Sequence, residues 1–458
     1  MHKSNFHKEN WIFHMELIKS ISGIRGIFNK NLNSTITNHY INIFSNIQNN
    51  GDILVARDSR PHGKIIYDET CKTLSLLGRN VICCGIIPTP TAQYIIKEQN
   101  LAGGIVITAS HNPIEWNGLK FLDNDGCFLN SDKMKKLLSR SPSTILTNKT
   151  GNIIKSKNAY QNHIQNVLNL NCINIDKIKS KKFKVVVDTV NGAAYKALPE
   201  LLDALNCNVI KIYCDNDGTF PRGTEPIPSH LEDLSKAVTS NNADIGFATD
   251  PDADRLSIVD NHGNPIGEES TLVLALESYL KYYKDSQKVV TNLSTSMAVD
   301  VIAHQYNSTV HRSSVGEINV VEKMKELRST IGGEGNGGVI LEESHLGRDS
   351  LVASALVLNH LAQSELPFDK ILESIPKLIM IKDKITLKDD LDFKYIKTLF
   401  KNEDVSFIEG DGLKIIWKDK WVHIRKSNTE PIIRIISEAN AYENAKDLID
   451  HIKVNIIS

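Results

Sequence analysis

The chain is short of every feature that would commit it to a membrane, a nucleic acid or an oxidising compartment. Its 53 Lys and Arg against 54 Asp and Glu leave a formal net charge of −1 over 458 residues. No overall field draws it to polyanions or anionic lipid, so any anion it handles must be met locally. No apolar run approaches the ~18 residues of a membrane span, and the opening stretch MHKSNFHKENWIFHMELIKS has no apolar core long enough for a secretory signal. The seven cysteines, Cys71, Cys83, Cys84, Cys127, Cys172, Cys207 and Cys214, are odd in number and show no C-x-x-C spacing. That speaks against a disulfide framework or a zinc site and suits a reducing cytoplasm. Low-complexity linkers are missing too. The remainder, 41% apolar and 23% charged, is ordinary globular composition, with a length prior of roughly three domains.

Three stretches share one grammar, a β-rich run, a small-residue turn, a helical pattern and a second β-rich run. They are DILVARDSRPHG–KIIYDETCKTLSLLG–NVICCGI, KVVVDTVNG–AAYKALPELLDALN–VIKIYC and KVVTNLST–SMAVDVIAHQY–STVHRSS. Gly78 falls just past the last apolar helical position of the first, where a left-handed C-cap wants glycine. These are α/β units with mixed or parallel sheets, whose binding loops are expected at strand ends. After about residue 376 the pattern changes to a hairpin, GLKIIWKDKWVHIRK, a strand, IIRIISEA, and a closing amphipathic helix, AYENAKDLIDHIKVNI. The expected division is a disordered extension at 1–14, α/β domains at 15–158, 159–264 and 265–375, and a smaller α+β domain at 376–458.

Four loops carry chemistry. The strand GGIVIT runs into ASHNPIEWNGLKF, which places Ser110, His111, Asn112 and Lys120 in a loop held by a buried strand. Such a serine can be a nucleophile, and a plain polar loop with a helix-capping Ser or Asn competes with that reading. The strand ADIGFAT runs into DPDADR, where alternation puts Asp250, Asp252 and Asp254 on one side, with Arg255 after them. Three such anions repel by roughly 4 kcal/mol per pair at an effective dielectric of 20, so a hard divalent cation, Mg²⁺, is the natural remedy. An EF-hand would need glycine and glutamate where Arg255 and Asn261 stand. IGGEGNGGVI formally satisfies G-x-G-x-x-G, but VILEE continues as strand rather than helix, so the dinucleotide reading fails. A glycine loop presenting Glu334 and Asn336 to a polyhydroxylated ligand fits better. Between WVHIRK and IIRIIS, the turn SNTEP offers Ser427, Asn428 and Thr429 beside Arg425 and Arg434, groups that can grip a phosphate.

Together the four loops resemble those of the α-D-phosphohexomutase family, and the likeness covers essentially the whole chain from about Met15. The resemblance implies four domains, each giving one loop to a central cleft. It implies a phosphoserine at Ser110, Mg²⁺ held by Asp250, Asp252, Asp254 and the serine oxygen, and a sugar loop at Glu334 and Asn336. The phosphate loop would be Arg425, Ser427, Asn428, Thr429 and Arg434. SISGIRG matches the family's segment ending in IRG, which implies that Arg25, with Arg255, meets the phosphoryl charge. Lys120 matches a lysine that assists proton transfer, while His111 either shares that task or orients the phosphoserine. The implied reaction interconverts hexose 6-phosphate and hexose 1-phosphate through a hexose 1,6-bisphosphate, in a monomer or homodimer whose partners are small sugar phosphates. Many relatives have serine and histidine in the sugar loop where this chain has Asn336 and Gly338, which leaves open a non-catalytic sugar-phosphate binder. The GEGNGG form and SISGIRG look similar to bacterial and archaeal members assigned as phosphoglucosamine mutases. Glucosamine phosphate is therefore the expected substrate, with mannose or glucose phosphate as the alternative.

Overall fold

Runs of β-branched residues with no polar face give strands buried on both sides, and Gly103–Ile107 is one of them. The computed structural model describes residues 17–140, 150–386, 391–426 and 432–457; the extension at 1–14 and the turn residues Ser427, Asn428 and Thr429 lie outside these. The first sheet has seven strands, in the order Ile18–Ser20, Gly23–Ile27, Trp116–Leu122, Gly103–Ile107, Ile53–Arg57, Val81–Ile86 and Ile153–Lys155. Trp116–Leu122 runs antiparallel between Gly103–Ile107 and Gly23–Ile27. The helix Gly63–Leu76 closes at Gly78 with φ +81°, the left-handed cap its position called for.

The second sheet orders Leu256–Val259, Ile245–Thr249, Lys184–Asp188 and Asn208–Ile212, the last three parallel. The third orders Thr309–Ser313, Lys288–Asn292, Ile331–Glu334, Gly338–Leu341 and His345–Arg348, parallel at one end and antiparallel at the other. The fourth is wholly antiparallel, from Ile379–Thr386 through Ile432–Ala439, Trp421–Lys426 and Leu413–Ile416 to Ser406–Glu409, with the helix Tyr442–Ile457 packed on it. Three α/β units and a smaller α+β unit are the architecture expected. Among the described residues no helix is long and apolar enough to cross a membrane.

The units are not beads on a string. The helix Ser350–Ser364 is buried without interruption from Ser350 to Ala362, and a helix apolar on all sides must lie inside a core. It joins Leu198 and Phe247 of the second unit to Leu272 and Leu356 of the third in one cluster. The fourth unit docks on the third through a buried lysine, Lys414, whose Nζ donates to Leu293 O at 2.6 Å above the Trp421 ring. Glu438 there accepts from Met297 N at 2.8 Å.

The buried helix begins at a three-way junction. Asp349 caps it by accepting from Leu351 N, and its other oxygen lies 2.9 Å from His163 Nε2 and 3.1 Å from His345 Nε2. His163 belongs to the second unit and meets Thr91 Oγ1 of the first at 3.0 Å. Burial alone would raise Asp349; the His163 charge and hydrogen bonds from both histidines outweigh it and hold the carboxyl below its usual range. Burial, by contrast, is what holds His345 below its ordinary value, against the pull of Asp349. Both groups sit below unfolded values of about 3.9 and 6.5, so their contribution is complete above pH ~6.5 and is lost as pH falls. Asp349→Asn keeps a capping oxygen but removes the charge, and should cost about 2 kcal/mol in urea unfolding at neutral pH. The gap to wild type should persist at about pH 5 and shrink only below about pH 4, where Asp349 itself takes a proton; equal midpoints at neutral pH would refute the junction's role.

Candidate active site

A serine placed straight after a buried strand inherits the strand's rigidity. Ser110 follows Gly103–Ile107 by three residues, is 2% exposed and sits at φ +50°, a region non-glycine residues rarely occupy. Such strain persists only where the surroundings over-determine it. Ser110 N donates to Thr108 Oγ1 at 2.9 Å, and the Thr108 hydroxyl donates to Asp58 Oδ2 at 2.6 Å. Asp58 also binds Arg60 Nε at 3.0 Å, and the remaining Arg60 donors reach four carbonyls of the serine loop, those of Ser110, Asn112, Pro113 and Trp116.

The metal loop closes against it from the second unit. Ser110 Oγ lies 3.3 Å from Asp250 Oδ2 and 3.3 Å from His111 Nδ1. Asp250, Asp252 and Asp254 are each 0% exposed and bring ligand atoms within 4.8 Å of one another. Extended alternation is not what converges them: residues 250–254 form a turn with Ala253 at φ +60°. Lys120 also needs correcting. It is not in the loop but in the middle of the strand Trp116–Leu122, where Nζ reaches Asp252 Oδ2 at 2.6 Å and Asp254 Oδ2 at 3.1 Å. A strand covered on both faces shows no period-two alternation, so its polar residues read as loop.

Thr89 Oγ1 also donates to Asp252 Oδ2, at 2.6 Å. Asp252 Oδ1 and Asp254 Oδ1 remain buried without a hydrogen-bond partner, which is costly for carboxylate oxygens unless a cation meets them. Burial, then repulsion from Asp254 and Asp252, pushes the Asp250 carboxyl well above its usual range. Burial opposes ionisation of Asp254 too, but Arg348 and Lys120 hold it below that range. Lys120 is lowered by burial and raised more by Asp252 and Asp254, so it keeps its proton. His111 is held well below its ordinary value by burial and by Arg255 and Arg25. The ring is therefore neutral, and Nδ1 accepts from Arg255 Nη2 at 3.1 Å. Arg25 Nη1 donates to Asn112 Oδ1 at 2.9 Å, which sets it beside the serine.

The glycine loop is a hairpin turn, with Glu334 opposite Gly338 in register. Gly337 has φ +87°, and a Cβ there would lie 2.4 Å from Leu256 O, so only glycine lets this turn dock at the exit of the metal loop. Glu334 accepts from Asn292 Nδ2 at 2.7 Å, Gly316 N at 3.0 Å and Arg348 Nη1 at 3.0 Å. Asn336 Oδ1 is buried with no hydrogen-bond partner. In the fourth unit Arg425 and Arg434 are direct cross-strand partners. Arg425 Nη1 lies 4.0 Å from Asp411 Oδ1, and Glu334 is also among the charges acting on Arg425.

Models of all four domains of the phosphoglucomutase/phosphomannomutase family match the chain. Alpha/beta/alpha domains I, II and III match residues 17–145, 158–263 and 267–378, and the C-terminal domain matches 383–453. The chain is 35% identical over 405 residues to a phosphoglucomutase/phosphomannomutase of Thermococcus kodakarensis, covering 87% of this chain and 88% of that one. It is 32% identical over 445 residues to a phosphoglucosamine/phosphogalactosamine mutase of Sulfurisphaera tokodaii, covering 94% and 97%. The chain belongs to the phosphohexomutase family. Its fold is also similar to that of a phosphoglucomutase/phosphomannomutase family protein from Burkholderia thailandensis, with a TM-score of 0.82 at 24% identity over 95% of this chain and 97% of that one. A phosphohexomutase is an isomerase that relocates a phosphoryl group on a sugar phosphate, so catalysis rather than mere binding is the expected work of this cleft.

Two groups of this phosphohexomutase escape a reading of its loops. Arg348 is a buried hub whose Nη2 binds Asp254 Oδ2 at 2.7 Å, Nη1 Glu334 and Nε Glu317 Oε2 at 2.9 Å. It couples the aspartate loop to the glycine loop. Burial pushes the Glu317 carboxyl up to about 7 despite Arg348. Arg60 is the other. It stands in DSR, directly after the strand Ile53–Arg57, where the strand-to-loop logic that found Ser110 would also have found it.

Proposed function

We propose that this phosphohexomutase interconverts glucosamine 6-phosphate and glucosamine 1-phosphate through phosphorylated Ser110, with the hexose 1,6-bisphosphate as intermediate and Mg²⁺ as resident ion, in the cytoplasm. The observation that carries the reading is the 3.3 Å between Ser110 Oγ and Asp250 Oδ2, groups 140 residues apart in two units. One phosphate and one cation can be shared across that gap. The donor set fits a hard ion, since it is all oxygen and includes Asp252 Oδ1 and Asp254 Oδ1, which accept no hydrogen bond. Asp250, Asp252, Asp254 and the serine oxygen would hold Mg²⁺, which when bound neutralises charge on the phosphoryl group in transfer.

The side chains supply the rest. Arg25 and Arg255 flank the serine and meet the remaining anionic oxygens. Lys120, kept protonated by two carboxylates, gives a proton to Ser110 Oγ as that oxygen is released and takes one from the attacking sugar hydroxyl; in the return step it takes the proton of the Ser110 hydroxyl and gives one to the sugar oxygen released. His111, neutral and bonded to Arg255, orients the phosphoserine and is too weak a base for more. Glu334 and Asn336 hold sugar hydroxyls in either of two orientations, while Arg425 and Arg434, with Ser427, Asn428 and Thr429, hold the idle phosphate. The amino sugar is supported by the name of the Sulfurisphaera relative and by Asn336 Oδ1, an acceptor suited to an ammonium donor.

Turnover of glucosamine 6-phosphate with a trace of its bisphosphate, compared with mannose 1-phosphate and glucose 1-phosphate, tests the substrate. The highest kcat/KM should fall to glucosamine; a preference for either other sugar would overturn that part. Asp252→Asn should weaken apparent Mg²⁺ affinity by about tenfold or more, read from activity against Mg²⁺ concentration. An unchanged titration would remove Asp252 from the ion.

A further inference from the structure

A second reactive centre lies away from the cleft. Cys71, on the helix Gly63–Leu76, and Cys83, on the strand Val81–Ile86, are both buried, and their sulfurs stand 3.1 Å apart. A disulfide bond is about 2.05 Å long, so about 1 Å of approach would close it. Only 12 residues separate the pair, but in no motif that sequence alone reads as redox-active. They meet because this helix packs over the strand.

The pair is not sealed. Both sulfur-bearing residues line a cavity of about 410 Å³, together with Tyr67, Asp68, Lys155 and Ser156. A small oxidant can therefore reach the sulfurs although neither is open to bulk solvent. The two thiols are also unlike. The hydrogen bond from Cys71 pulls the Cys83 thiol down to about 7 against burial, with Tyr67 helping. The same bond, with burial, pushes Cys71 up. One member is thus disposed to be a thiolate and its neighbour keeps a proton, the arrangement of an attacking and a resolving cysteine.

We propose that Cys71 and Cys83 form a reversible disulfide when the protein meets a hydroperoxide. The Cys83 thiolate attacks the O–O bond, which breaks to leave a sulfenic acid on Cys83 and release hydroxide, or alkoxide from an organic peroxide. The Cys71 sulfur then displaces the hydroxyl from that sulfenic sulfur, and with the thiol proton it leaves as water. Two thiols lose two electrons and two protons, and hydrogen peroxide becomes two waters. A dithiol reverses the bond by exchange.

The test uses the full-length protein. After stoichiometric hydrogen peroxide, thiols counted in denaturant should fall from seven to five, and peptide mapping should recover Cys71 joined to Cys83. Dithiothreitol should restore the count. Cys83→Ser should keep its six remaining thiols through the same treatment while retaining basal mutase activity, because Cys83 touches none of the cleft residues. Retention of all seven thiols, a bridge between other cysteines, or irreversible sulfinic acid at Cys83 would each overturn the proposal.

Discussion

Ser110→Ala is expected to abolish mutase turnover, by at least about 10⁴-fold in kcat, while the protein stays folded. The loss is large because no other nucleophile stands where the serine does, between Asp250 and His111. Without a covalent phosphoryl carrier the two ends of the sugar cannot exchange groups. The fold should tolerate the change because the hydroxyl makes only two long contacts, both 3.3 Å, worth about 1 kcal/mol together. Alanine inherits the same φ of +50° at no greater cost than serine. Intact mass before and after purification should show a phosphoryl adduct on wild type and none on the variant. Mutase turnover near the wild-type rate in a folded Ser110→Ala protein would remove the serine from the reaction.

The sequence is most legible where short apolar strands deliver polar loops, and that is where the serine and the three aspartates are found. It is least legible where polar residues are buried within strands. Lys120 sits in WNGLKFL, buried along its whole length, so the polar content that suggests a loop belongs to an interior network. Arg348 ends a four-residue strand whose sequence, HLGR, has no strand-like alternation. Both find their partners far away in sequence, 132 residues for Lys120 and Asp252 and 94 for Arg348 and Asp254, and no local pattern encodes such meetings. The shared core of the second and third units explains why no linker marks their boundary. Cys71 and Cys83 meet only because a helix packs over a strand, which spacing cannot report.

The largest effect outside the reacting groups should come from Arg60. It is 0% exposed, its guanidinium stacks 5.0 Å from the Phe220 ring of the second unit, and it donates to Asp58 and to four loop carbonyls. Arg60→Met strips all these donors and leaves Asp58 buried and uncompensated, a cost of about 3–5 kcal/mol that brings the variant near unfolding. Arg60→Lys separates position from stability. A lysine restores the charge next to Asp58 but has three donors on one atom, and it cannot span carbonyls arranged for a planar fork. The loop should then relax out of the strained serine conformation. Displacing a nucleophile by about 1 Å costs on the order of 10²-fold in rate, so kcat should fall by about that factor with KM little changed. Thermal unfolding should stay closer to wild type than for methionine. An Arg60→Lys protein with wild-type kcat would show that the serine holds its place without the fork, leaving Thr108 and the strand alone to account for it.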